Sequence, residues 1–76
     1  MVATKQVMTI KETMAILFSF HDECVKYWLH EGKPHSEAMN LALQDIEGLS
    51  TNPYDPNGDW LDQEAKLHFM EYMANM

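Results

Sequence analysis

Three groups of residues in this chain have the types and spacing to do chemistry. Asp55, Asn57 and Asp59 stand at the first, third and fifth places of a calcium-binding loop. The sixth place of such a loop requires glycine and is Trp60, and the twelfth requires a bidentate acid and is Lys66. A loop lacking both is expected to be a turn followed by a helix cap. His21 and Cys24 lie three residues apart on one helical face, so both could touch one metal ion. Zinc takes about four ligands, and only the scattered His30, His35 and His68 could add to the pair. A core histidine beside a small buried thiol is the expected arrangement. Cys24 as a nucleophile would need a neighbouring base and a lowered pKa. His21 is within reach, but Asp22 and Glu23 oppose a thiolate. There is no glycine-rich phosphate loop, serine-centred elbow or paired-carboxylate motif. No catalytic residue, metal ligand set or cofactor is expected, and the chain is not expected to be an enzyme.

The acids form a further constellation. Residues 1–33 balance Lys5, Lys11, Lys26 and Lys33 against Glu12, Asp22, Glu23 and Glu31. Residues 34–76 set eight acids against Lys66 alone, and so carry the whole net charge of −7. Asp45 and Glu47 close the second helical segment, while Asp55, Asp59, Asp62 and Glu64 surround the turn that opens the third. Carboxylates at a helix C-terminus oppose the local dipole, and carboxylates crowded together repel. A basic protein surface would relieve both. The chain has no arginine, which argues against direct nucleic-acid binding and against a polybasic membrane patch.

The elements that must position these residues are helical. Thr9 and Glu12 have capping-box spacing, and Gly32 follows an uninterrupted segment without proline or glycine. A long helix over 10–31 is predicted. At 100° per residue Ile10, Met14, Leu17, Phe18, His21, Cys24, Val25, Trp28 and Leu29 fall within roughly 140°. Ile16, Phe20 and Tyr27 form a second stripe, which widens the apolar arc to about 220°. A second helix is predicted over 35–47, opened by Pro34 or Ser36 and closed by Gly48, with Leu49 folding back on Leu43. The segment Asp55-Pro56-Asn57-Gly58 suits a type I turn, after which Asp59 should cap a third helix reaching Asn75. Residues 1–8 show no dependable period and are expected to be a flexible tail, with strand pairing or docking of Val2, Val7 and Met8 as the alternative. The resulting expectation is all-α: a small three-helix bundle over 9–76, one long central helix and two shorter ones, open to completion by oligomerisation. Leu17, Phe18, Trp28, Leu43, Ile46 and Phe69 are the predicted core.

A chain of 76 residues makes one domain and buries only about 60% of its unfolded surface. A hydrophobic content of 46% is enough for a core and argues against disorder. The lone Cys24 excludes an internal disulfide, no apolar run approaches about 20 residues, and the first eight residues lack the apolar stretch of a secretory signal. A cytoplasmic protein is expected, in the host cytoplasm if the chain is phage-encoded. Methionine adapts to varied surfaces, and Met70, Met73 and Met76 recur at three-residue steps. An apolar partner or oligomer surface is therefore expected from Ile16, Phe20, Tyr27, Trp60, Leu67 and Met70.

In size, acidity and lack of motifs the chain resembles the small acidic orphan proteins of bacteriophages and mobile elements. That resemblance implies a non-enzymatic inhibitor that occupies a basic nucleic-acid-binding surface of a host protein, as anti-CRISPR and DNA-mimic proteins do. The alternatives are a self-assembling structural subunit and, behind it, a metal-binding module.

Overall fold

Residues 6–55 and 58–75 are described by the computed structural model, and they form a three-helix bundle. Helix α1 spans Ile10–His30, α2 spans His35–Glu47 and α3 spans Gln63–Ala74. The capping box forms as the sequence requires: the Thr9 hydroxyl accepts from the Glu12 N–H, and the Glu12 carboxylate accepts from the Thr9 N–H. At the other end of α1, Gly32 adopts φ +93°. Its N–H donates to Leu29 and that of Lys33 to Trp28, the paired bonds of a Schellman ending. Helix α2 then returns antiparallel along α1, close enough that Ala38 and Ala42 are fully buried.

Two local expectations for α2 need correction. Pro34 occupies the N-cap position and no side chain caps the helix, so Ser36 does not play that part. Gly48 is right-handed, with φ −78°, and the Leu49 N–H donates to Ile46. No left-handed ending forms there, and Leu49 packs on the lower core instead.

The larger correction is at α3, which starts at Gln63 with Asp62 as its cap, not at Trp60 with Asp59. Tertiary pairing decides this. Trp60 sits in two isolated bridges, parallel to Val7 and antiparallel to Thr51. Its N–H donates to the Gln6 carbonyl and its carbonyl accepts from Met8, while Leu61 and Asn52 donate to Ser50 and Asp59. A backbone held extended on both sides cannot also begin a helix. Asp59 accepts from the Gln6 N–H, so Gln6, Val7 and Met8 are docked against 59–60. Residues 1–5 lie outside the described residues. The Asp55–Gly58 turn closes as expected through Gly58 N–H to Asp55 O, and a Cβ on Gly58 would stand 2.8 Å from the Cβ of Asn52.

The core has two layers. Leu17, Ile46, Leu61 and Phe69 form the lower one; Val25, Ala38 and Ala42 form the upper. Of the predicted core, Leu17, Ile46 and Phe69 are fully buried, Trp28 and Leu43 are half-buried, and Phe18 is 43% exposed. Phe18 lies edge-on to Phe69 at 4.9 Å, so it roofs the core rather than entering it. Buried Thr13 accepts the Asp62 N–H and thereby pins the start of α3 to the first turn of α1. No helix among the described residues is long and apolar enough to cross a membrane.

Candidate functional site

The acidic surface is built around one buried cation. Lys66 is 8% exposed and its Nζ donates to the carbonyls of Glu47, at 2.7 Å, and Leu49, at 2.6 Å. Carbonyls at a helix C-terminus lack helical partners and carry partial negative charge, so an ammonium group there closes α2. This contact, with the pairing of 50–52 against 59–61, sets the end of α2 beside the start of α3. Glu47, Asp59, Asp62 and Glu64 thus share one end of the bundle. Lys66 lies at this end too, directed inward at the carbonyls of Glu47 and Leu49. On the outside, seven of the eight acids of residues 34–76 are exposed and Asp62 is half-buried.

Several of these acids already hold the fold. Asp45 accepts from the Trp28 indole N–H at 3.0 Å, clamping α1 to α2. Asp62 accepts from the Ala65 N–H at 2.9 Å, and Asp59 is tied to Gln6. Glu64 stands 4.0 Å from His68, and Asp55 is also engaged. Glu47 and Glu71 offer exposed carboxylates at the two ends of the acidic half.

The predicted apolar surface divides. Ile16, Phe20 and Met70 are half-buried against the lower core. Phe20 meets Tyr54 edge-on at 6.0 Å, and the Tyr54 hydroxyl donates to Glu23 at 2.6 Å and lies 3.2 Å from the Ser19 hydroxyl. Tyr54 of the chain's own loop therefore covers Phe20 of the second stripe. Tyr27, Trp60 and Leu67 remain exposed, at 55%, 44% and 61%. Phe18 and Tyr72 join them as a ledge across the α1–α3 seam, with ring centres 6.1 Å apart. Periodicity placed Phe18 in the core and hid that ledge.

His21 and Cys24 both lie on the inward side of α1, His21 buried and Cys24 half-buried. Burial, with Asp45 and Glu23 adding to it, pushes the Cys24 thiol up to about 11. Burial lowers the His21 pKa, with Asp22 opposing, so the imidazole is neutral near pH 7. No group of three or more metal-ligating side chains occurs among the described residues, and Asp59 accepts from the Gln6 N–H, while Asn57 of the loop lies outside the described residues. His21 does line a cleft of about 540 Å³ between α1, the first turns of α2 and the end of α3. Met39, Leu43 and Met73 make its apolar walls, and the exposed His35, Ser36 and Asn40 its rim. Sequence reasoning missed the cleft, because its shape depends on where α3 stops against the other two helices.

No protein-family model, curated protein or solved structure matches this chain.

Proposed function

We propose that this chain is a non-enzymatic protein-binding module whose acidic C-terminal half docks on a basic surface of another protein. The observation that carries the reading is the burial of Lys66. The only lysine of residues 34–76 is withdrawn from the surface, and among the described residues only Glu37 of the eight acids has a lysine side chain in ion-pair range, Lys33 at 3.9 Å. A field so little compensated speeds encounter with a positive partner and disfavours a negative one. A thiol held at about 11 beside a neutral imidazole supports a non-catalytic role. The concrete form we favour is an inhibitor of the phage or mobile-element kind, with carboxylates standing where a nucleic acid would place phosphates.

The test uses affinity capture from source cells, followed by association kinetics on the recovered partner. The informative variant is Glu47→Gln/Glu64→Gln/Glu71→Gln, because Asp45, Asp59 and Asp62 hold the fold and would confound it. The expected partner is basic, is displaced from nucleic acid by this chain, and associates more slowly as salt rises from about 0.05 to 0.5 M. The triple variant should slow association about tenfold at low salt while melting like the parent. A partner that is acidic, or a rate indifferent to both salt and the triple change, would refute the proposal.

A second reading, a self-assembling subunit, draws on the Phe18–Tyr72 ledge, whose residues are 43% and 56% exposed. Aromatic side chains placed side by side on a surface favour protein contact. Under this reading the chain sediments as an oligomer that Phe18→Ser/Tyr72→Ser converts to monomer; sedimentation as a monomer at millimolar concentration excludes it.

A further inference from the structure

The cleft beside His21 exists because the third helix is short. Twelve residues of α3 reach about 18 Å, whereas the 21 of α1 reach about 31 Å. The upper turns of the α1–α2 hairpin therefore have no third helix over them, and the cleft opens where α3 ends at Met73 and Ala74. Its volume of about 540 Å³ falls within the range of small-molecule sites.

A second, independent feature marks this cleft. His21 is 4% exposed, lines the cleft, and its Nε2 has no hydrogen-bond partner among the described residues. A buried polar atom left unpaired costs roughly 1–3 kcal/mol, and native folds keep few of them. The other buried polar side chains, Thr13 and Lys66, are both satisfied within the chain. His21 alone among them lacks a partner, and it is the one that borders a cavity.

We propose that the cleft binds a small uncharged amphiphile, an aromatic or alicyclic body bearing one hydroxyl, with that hydroxyl bonded to His21 Nε2. The residues decide the chemical class. Met39, Leu43 and Met73 offer adaptable apolar walls to a ring system. Among the described residues no lysine or arginine lines the cleft to ion-pair with a carboxylate or phosphate. Burial holds His21 in its neutral form, which again disfavours an anion. A hydroxyl donates and accepts, and so serves Nε2 in either tautomer of the ring.

The probes are 2-naphthol and naphthalene, titrated into the full chain and followed by ring-nitrogen resonances of His21 and methyl resonances of Met39 and Met73. Both methyls should shift saturably with 2-naphthol, and the His21 Nε2 resonance should move with 2-naphthol but not with naphthalene. His21→Phe keeps the ring's shape without its nitrogens; it should weaken 2-naphthol about tenfold and leave naphthalene unchanged. Leu43→Trp, which fills the cleft, should abolish binding of both. Should His21→Phe fail to fold, the contrast between the two probes at the His21 nitrogen in the parent chain still decides the matter. The proposal falls if 2-naphthol gives no saturable shift, if it perturbs methyls away from the cleft, or if it leaves the His21 nitrogen unmoved. That last result would assign the unpaired nitrogen to water.

Discussion

Replacing Lys66 with methionine isolates the contact that both closes α2 and clears the acidic face of positive charge. Methionine keeps most of the apolar stem but loses the donors that reach Glu47 and Leu49 at 2.7 and 2.6 Å. Two hydrogen bonds from a charged donor are worth about 3–6 kcal/mol gross. Two effects offset part of this. The parent stabilises a desolvated ammonium only at a cost of several kcal/mol, which the variant no longer bears. The Glu47 carbonyl, in an exposed residue at a helix end, can also take water in place of Nζ. The net loss should be about 2 kcal/mol, which for a domain of this size lowers Tm by about 8–16 °C. Urea unfolding followed by far-ultraviolet circular dichroism measures it, with an unchanged m-value showing that the same surface is exposed on unfolding. The difference should persist in about 1 M salt, since a buried ammonium is poorly screened. A loss below about 0.5 kcal/mol, or one that vanishes in salt, would mean that Lys66 acts as an ordinary surface charge and that its burial does not shape the acidic face.

Two further outcomes follow from the titrating groups. With its pKa raised to about 11, Cys24 should be thiolate in only about one molecule in a thousand at pH 8, so a disulfide reagent should label it slowly until urea unfolds the chain; rapid labelling of the native protein would contradict that environment. His21 has a folded pKa below its unfolded value because burial penalises the charged ring, so its contribution to stability is fully present above about pH 6.5 and is lost as pH falls through that value towards the folded pKa. The parent should lose stability relative to His21→Phe between about pH 7 and 5, and parallel stability curves for the two proteins across that range would show that His21 protonates equally in both states.

The sequence by itself determined what is local or periodic. The Thr9–Glu12 box, the Gly32 ending, the α2 boundaries and the Asp55–Gly58 turn each arise from residues a few positions apart, whose geometry is the same in any fold. Periodicity likewise placed Leu17, Ile46 and Phe69 inside, because a helix exposes one face to one neighbour. What tertiary structure decided involves partners distant in sequence. Asp59 satisfies every local rule for a helix cap, yet Trp60 is held extended by Val7 and Thr51, so the helix waits for Asp62. Phe18 belongs to the apolar stripe but sits where the short α3 leaves it half roofed, and Phe20 owes its cover to Tyr54 from a loop 34 residues away. The charge of Lys66 is visible in the sequence, but its burial depends on where the end of α2 lies, and only the folded chain brings those carbonyls to it. For the same reason the unpaired nitrogen of His21 and the cleft beside it belong to the tertiary structure, since both depend on which atoms of three helices fail to meet.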